Sequence, residues 1–497
     1  MDVYKLFSQT AKQQPEKPAL VFEGKVTSFS QALEKVNQIG HTLQALGLKQ
    51  GEKLAIWLPN CPEFIMAYLA AFGLGATVIP IDAMAAKEEV IGILNHGEAS
   101  ILITTFNEAF EIKNYIPSLK HIITNLDELA TSDKTPLPRG VRFTTQRGLP
   151  AIIDEEDTAL IIYTSGTTGQ QKGVMLTYRN LDSPIKTFAY FGLKYDCVLC
   201  AVPFSHEAGS LHTLFQASMG STLVIMERFA PGKFLRYIEK YQADLVFAPP
   251  AILEALLKTS EIETISLKSL KYVAPFGAPC HPRIFQAFIQ KFPHINVITA
   301  YGLTESTAPN VVLSPDTPTF KRVKKGILGK PAPWVEIKIV DDKGNELPSG
   351  SIGEILLKGW FVMKGYYKEP ELTREVLRDG WLYTGDLGYL DEEGYLYITG
   401  RKKDVIITGG LSVYANEVEF VISEHPKVKE VAVISTPDKL RGELVKAVIA
   451  LKEKGTAQEI TNHCRKRLAS YKIPRVIEFR ESLPKTSAGK IKKADLI

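Results

Sequence analysis

Apolar positions in this chain follow two periods, and the two alternate along it. Residues 53–58, 77–81 and 100–104 are short apolar runs of the kind that form buried strands. Between and around them the spacing turns helical. Leu33, Val36, Leu43 and Leu46 recur on one face, with Ser28 or Ser30 as a cap and Gly47 as a stop. A further helix is predicted over about 86–95. The pattern then repeats. Strands are predicted over 198–203, 222–226, 245–248, 270–274 and 296–299. Helices are predicted over 211–217, 233–241, from Pro250 through Leu257, and over 281–292. Strand and helix in alternation predict a mainly parallel sheet covered on both faces.

The character changes after Pro331. Residues 336–340, 353–358 and 395–399 alternate like strands, with turns at Lys343-Gly344, Ser349-Gly350 and Glu393-Gly394. This predicts a mostly antiparallel β subdomain. The polar stretch 401–404 marks a boundary, and a small α+β unit follows it. There Asn416 with Glu419 resembles a capping box before Val418, Val421 and Ile422. Strands are expected over 431–435 and 446–451, and Ile460, Cys464 and Leu468 share a helical face. The expected fold is α/β. A large N-terminal domain, 1–400, has mainly parallel α/β sheets plus a β subdomain, and a small α+β C-terminal domain covers 405–497.

One apolar run needs separate treatment. Residues 64–81 carry no charge over eighteen positions, nominally enough to span a membrane. Gly73, Gly75 and Pro80 interrupt it, so a buried helix to about Phe72, a glycine turn and a strand are expected instead. The N-terminus has no signal-peptide pattern.

The chemistry concentrates at YTSGTTGQQKG, residues 163–173, directly after the apolar run 159–163. Gly166, Gly169 and Gly173 let backbone N–H groups approach an anion. Thr164, Ser165, Thr167 and Thr168 add hydroxyl donors, and Lys172 adds a point charge. The spacing is not that of a P-loop, yet the stretch suits a polyphosphate. The apolar pattern that resumes over 174–181 could start a helix. Four distinctive loops, near residues 164, 203, 275 and 300, fall at the predicted carboxyl ends of strands, where open α/β sheets bind ligands.

Composition narrows the field. The 497 residues are 45% hydrophobic and 23% charged, with a net charge of +4. That is a globular composition, too weakly basic to argue for nucleic acid. Five cysteines do not make a disulfide scaffold. Cys197 and Cys200 form a lone C-x-x-C with no second pair, so two small buried residues are expected there. A reduced, cytoplasmic setting follows.

YTSGTTGQQKG, YGLTE at 301–305, YTGD at 383–386, GRKKD at 400–404 and PKTSAGK at 484–490 stand in the order used by the adenylate-forming superfamily. The chain resembles its acyl-CoA synthetase branch. The resemblance implies ATP, Mg²⁺ and coenzyme A as cofactors, and a carboxylic acid that is joined to AMP and then passed to a thiol. It places Thr164, Ser165, Gly166, Thr167, Thr168, Gly169 and Lys172 over the β- and γ-phosphates. Thr304 contacts the α-phosphate, and Glu305, with Thr164, holds Mg²⁺. Tyr301, Gly302 and the Gly277-Ala278-Pro279 loop form the adenine slot. Asp386 takes the ribose hydroxyls, and Arg401 the ribose or α-phosphate. Lys490 stabilises the adenylation transition state, while Lys492 and Lys493 are expected in solvent. Lys403 is the pivot of the 401–404 hinge, and Gly409 and Gly410 line the pantetheine path.

By the same resemblance His206, in the loop PFSHEAGS, gates the acyl site, with Ala208, Gly209, Ala278 and Ala308 around the pocket. The loop departs from the family pattern at Ser205 and Glu207, and the thiol path departs at Ser412 and Ala415. Residues 201–204 read Ala-Val-Pro-Phe, without the Asp that amino-acid-activating relatives carry. No Lys or Arg lies in 203–215, 273–280 or 301–310, so a dicarboxylate lacks a counter-ion. Ala208 stands where coumarate-type relatives carry an aromatic. The expected substrate is a medium- or long-chain fatty acid, with an aryl or alicyclic acid second. A carrier-protein thiol remains an alternative acceptor, and a homodimer is left open.

Overall fold

The computed structural model describes residues 1–124, 148–149, 153–165, 171–277, 282–313, 326–485 and 491–497. The mainly parallel α/β sheets expected of the large domain are, among the described residues, two, each of seven strands. In the first, Thr222–Ile225, Cys197–Cys200, Leu245–Ala248, Tyr272–Pro275 and Asn296–Val297 run parallel, and the hairpin Pro18–Phe22/Lys25–Ser28 closes one edge. In the second, Thr77–Ile81, Lys53–Trp57, Ile101–Thr104 and His121–Ile123 are parallel. Thr158–Ser165 joins Thr77–Ile81 in parallel, then turns back as Gln171–Thr177.

The helix Pro62–Gly73 explains the uncharged run. Every residue from Phe64 to Gly73 is buried, because the helix lies between the two sheets and has no solvent face. It ends at Gly73, and Gly75 turns the chain at positive φ into the strand Thr77–Ile81. Among the described residues no helix is long and apolar enough to cross a membrane.

The third sheet is antiparallel. It runs from Ala300–Tyr301 through Val311–Val312, Ile327–Pro331, Leu396–Arg401, Trp381–Leu390 and Gly353–Lys358 to Glu336–Val340. The fourth contains Leu411–Tyr414, Val405–Thr408, Gly442–Leu451, Val428–Asp438 and Val476–Arg480. The helices Ala415–Ser423 and Ala457–Arg465 pack on it through Val418, Ile422, Ile460 and Cys464.

Several expectations are corrected here. The segment after the phosphate stretch is a strand, not a helix. Val174 and Leu176 bury alternate positions of Gln171–Thr177, and Gly173 lies opposite Tyr163. The run 296–299 does not continue as one strand. Asn296–Val297 ends the first sheet, and Ala300–Tyr301 begins the third. The 416/419 capping box is absent. The cap of that helix is Tyr414, and Glu419 instead accepts from the Val433 N–H at 2.7 Å. Ser28, not Ser30, caps Phe29–Ala45, in a capping box with Gln31.

Candidate active site

The phosphate stretch is the mouth of a β-hairpin. Thr164 pairs with Lys172 and Ser165 with Gln171 across it. Gly166, Thr167, Thr168 and Gly169 lie outside the described residues, as do Ala278, Pro279 and Lys490. Gly173 is the glycine the hairpin itself requires. A Cβ there would stand 2.8 Å from Ile161 Cγ2 and 3.3 Å from the Tyr163 ring. Tyr163 is fixed from behind by His96, whose Nδ1 is 2.8 Å from its hydroxyl.

Two side-chain clusters stand near this hairpin. In the first, Asp386 on Trp381–Leu390 faces Arg401 across the antiparallel pair, and their side chains meet at 3.0 Å. The Tyr301 hydroxyl donates to the other oxygen of Asp386, also at 3.0 Å. Asp386 is buried. Burial raises its pKa above the ordinary carboxylate value, against the lowering by Arg401 and by the Tyr301 hydrogen bond. Tyr301 is pushed far above its usual value by burial, then by the charge of Asp386. A buried carboxylate with only two side-chain partners has lone pairs left for further donors.

In the second cluster, the Tyr366 hydroxyl donates to Glu305 Oε1 at 2.9 Å. Lys172 Nζ lies 5.4 Å from the centre of the same ring. Tyr366 therefore connects the cation of the hairpin to the acid of the 301–305 turn. The strand Gly365–Tyr366 reaches this place by pairing with Gln171–Thr177. The turn is tight: a Cβ on Gly302 would sit 2.5 Å from Ala308 Cβ. Gly277, at the start of the second slot loop, has φ +79°. Among the described residues no group of three or more His, Cys, Asp or Glu side chains could hold a metal. Glu305 alone still fits Mg²⁺, which is commonly bound by one or two carboxylates plus substrate phosphates.

The loop 202–206 carries His206, the residue expected at the acyl entrance. His206 precedes the helix Glu207–Met219, and its Nε2 is 3.3 Å from Asp82 Oδ2. Asn60, unremarked in the sequence, fixes this loop. Its amide donates to the Val202 and Met226 carbonyls at 2.8 and 3.3 Å and accepts from Phe204 N–H at 2.9 Å. Tyr68 donates to the Phe204 carbonyl at 3.1 Å. Gly209, expected beside the acyl pocket, is buried at the start of the same helix. A Cβ there would lie 2.1 Å from the Pro203 carbonyl oxygen, so the glycine serves close packing of helix on loop. Ala208 and Ala308 are half-buried. Cys197 and Cys200 are buried strand residues whose thiols burial pushes up to about 12, as expected of inert cysteines.

Near the chain end, Lys485 and Ile491 form an antiparallel bridge on either side of 486–490. Lys492 is exposed as expected, but Lys493 is not. It pairs with Glu419 at 2.8 Å and Asp404 at 3.6 Å. Lys402 pairs with both Asp342 and Glu354 at 3.0 Å, and Lys403, beside it, is exposed. Gly409 and Gly410 make the turn between Val405–Thr408 and Leu411–Tyr414 at positive φ, with open space where a Cβ would stand.

Fold and site together define an adenylate-forming enzyme. The AMP-binding enzyme family matches residues 7–367, and the AMP-binding enzyme C-terminal domain matches 417–490; the chain belongs to this family. It is 33% identical to a long-chain-fatty-acid–CoA ligase of Bacillus subtilis, over 99% of this chain and 93% of that protein. It is 32% identical to a crotonobetaine/carnitine–CoA ligase of Proteus mirabilis, over 99% of this chain and 98% of that one. Among solved structures, o-succinylbenzoate CoA synthetase of Bacillus subtilis, in complex with its acyl-adenylate intermediate, superposes with a TM-score of 0.88 at 31% identity. That match covers 99% of this chain and 97% of the other.

Proposed function

We propose that this chain is an AMP-forming acyl-CoA synthetase that activates a medium- or long-chain fatty acid with ATP and passes the acyl group to coenzyme A. The observation that supports it best is the meeting of Lys172 and Glu305 at Tyr366, on the same 301–305 turn whose Tyr301 binds the buried Asp386. One turn thus carries both a carboxylate for a metal–phosphate group and a partner of a ribose-type acceptor.

In this reading Asp386 accepts from the ribose hydroxyls, Arg401 reaches the ribose or α-phosphate, and Tyr301 flanks the adenine. Lys172 and the hydroxyls of Thr164 to Thr168 hold the leaving pyrophosphate. Thr304 contacts the α-phosphate. Glu305 and Thr164 hold Mg²⁺, which neutralises phosphate charge when bound. Lys490 supplies a cation to the transition state of adenylation. His206 stands at the acyl entrance, and Gly409 and Gly410 leave room for a pantetheine arm. Support for the acid comes from residues 201–204, which carry no Asp, from the lack of Lys or Arg in 203–215, 273–280 and 301–310, and from relatives named as long-chain-fatty-acid–CoA ligases. An aryl acid is the second reading, favoured by the likeness to an o-succinylbenzoate CoA synthetase.

The test is pyrophosphate release over a panel of carboxylic acids, followed by thioester formation with coenzyme A and, separately, with a holo carrier protein. Release with fatty acids and transfer to coenzyme A is the expected result. Release without transfer to coenzyme A would move the acceptor to the carrier protein, and no release would overturn the reading. A cytoplasmic location and a homodimer belong to the same proposal, the second to be tested by light scattering.

A further inference from the structure

The helix after the gate carries a second histidine that the reaction outlined above does not use. His212 lies on Glu207–Met219 four residues beyond Ala208 and three before Phe215, so the three share one face. The opposite face is taken, since Thr10 Oγ1 bonds the Ala217 carbonyl at 2.9 Å. His212 is 2% exposed, and its Nε2 has no hydrogen-bond partner. Its ring stands edge-on to Phe247 at 5.3 Å and to Phe204, in the gate loop, at 6.4 Å. Phe247 in turn lies opposite Ala274, on the strand that runs into Gly277 and the slot loop. His212 is thus placed between gate and slot, one helical turn deeper than Ala208.

It is not an isolated orphan. Phe188 packs against Phe215 and Phe247 at 4.7 and 5.9 Å and against Tyr195 at 6.5 Å. The hydroxyl of Tyr195, within this aromatic group, is also buried without a partner, as are those of Ser183 and Thr187 on the helix Asp182–Tyr190 that carries Phe188. Each such group costs about 1–3 kcal/mol unless something hydrogen-bonds it. Native interiors hold few of them, and two within one aromatic group, His212 and Tyr195, ask for an occupant.

We propose that His212 is a specificity-determining residue of the acyl site, hydrogen-bonding an uncharged hydroxyl or oxo group carried on the chain of the acid. This rests on the acid-activating reading above and names its substrate class more narrowly. Burial lowers the imidazole pKa to about 3, so at neutral pH the ring offers a neutral donor or acceptor and no charge. A terminal carboxylate would find no counter-ion here, and a plain hydrocarbon chain would leave the imidazole unpaired.

The experiment measures kcat/KM by pyrophosphate release on the full chain. Straight-chain acids of medium to long length are compared with counterparts carrying one hydroxyl or oxo group moved stepwise along the chain. One position should exceed the plain acid by about tenfold or more, since a site built around a polar group rejects analogues lacking it. His212→Phe should erase that preference, and His212→Gln should keep part of it. The wild-type ratio should not change with pH across neutrality. A wild-type enzyme that handles plain and substituted acids alike at every position would overturn the proposal, without reference to any variant. So would an unchanged preference in His212→Phe. A lack of pyrophosphate release with every acid tried would overturn the parent reading, and this one with it.

Discussion

At the scale of single residues, Asp386 sets a conflict between folding and binding. Its carboxyl is buried, and burial raises its pKa despite Arg401 and Tyr301. A raised folded-state value means the unliganded fold loses stability as pH rises from the ordinary carboxylate range through the folded pKa, and then levels off. Asp386→Asn removes that loss. The variant should therefore gain on the wild type in thermal unfolding as pH rises through this range, while nucleotide binding falls. Loss of charge-assisted hydrogen bonds worth about 1.5–3 kcal/mol predicts roughly 10- to 100-fold weaker AMP binding by calorimetry. Equal pH dependence in both proteins would contradict the conflict. Tyr366 gives a second prediction. Tyr366→Phe keeps the ring under Lys172 and removes only the bond to Glu305. ATP binding by calorimetry should then need more Mg²⁺, with metal-free binding unchanged. A uniform loss, with and without metal, would make Tyr366 a packing residue only.

Elements show where the sequence was legible and where it was not. Boundaries of the strands Thr77–Ile81, Leu245–Ala248, Glu336–Val340 and Gly353–Lys358 follow from short apolar or alternating runs between turn residues. The strand Gln171–Thr177 was not legible, because a few apolar residues after a glycine fit either period, and the deciding fact is its pairing with Thr158–Ser165. Tyr366 was hidden for a related reason. Its strand leaves the antiparallel region and returns to the phosphate hairpin, nearly two hundred residues earlier in the chain. Asn60 reads as a turn residue until the loop it holds, some 140 residues away, is seen beside it. Motif residues such as Tyr301, Asp386 and Arg401 were legible as a set, and the structure adds that they touch. Gly209 carries the prediction at this scale. Its absent side chain lets the helix Glu207–Met219 approach the 203–204 backbone. Gly209→Ala would force the helix away at a cost of about 1–3 kcal/mol, or more because the obstacle is backbone. Thermal unfolding should drop, and KM for the acid should rise with the displaced gate. An unchanged transition and KM would mean the approach is not needed.

At the scale of the whole molecule, the 401–404 segment separates two sets of contacts. Lys402 is tied backward, to Asp342 and Glu354, and Glu354 also accepts from the Gly385 N–H beside Asp386 at 3.1 Å. Asp404 is tied forward, through Lys493 to Glu419 on the helix Ala415–Ser423. Lys403 stands between the two ties, in a single turn of 3₁₀ helix that connects the strands Leu396–Arg401 and Val405–Thr408. This supports the proposal that the chain pivots there between adenylation and thiol transfer. A pivot must change φ, and proline fixes φ near −65°. Lys403→Pro should hold one arrangement, leaving one half-reaction near the wild-type rate and slowing the other sharply. The two are measured apart: pyrophosphate release in a single turnover, and thioester formation from a supplied acyl-adenylate. Lys402→Ala should act differently, loosening the backward tie without fixing a state, so that both half-reactions change together and modestly. If Lys403→Pro left both half-reactions at wild-type rates, the turn would lie elsewhere, and the opposed ties of Lys402 and Asp404 would be ordinary surface pairs.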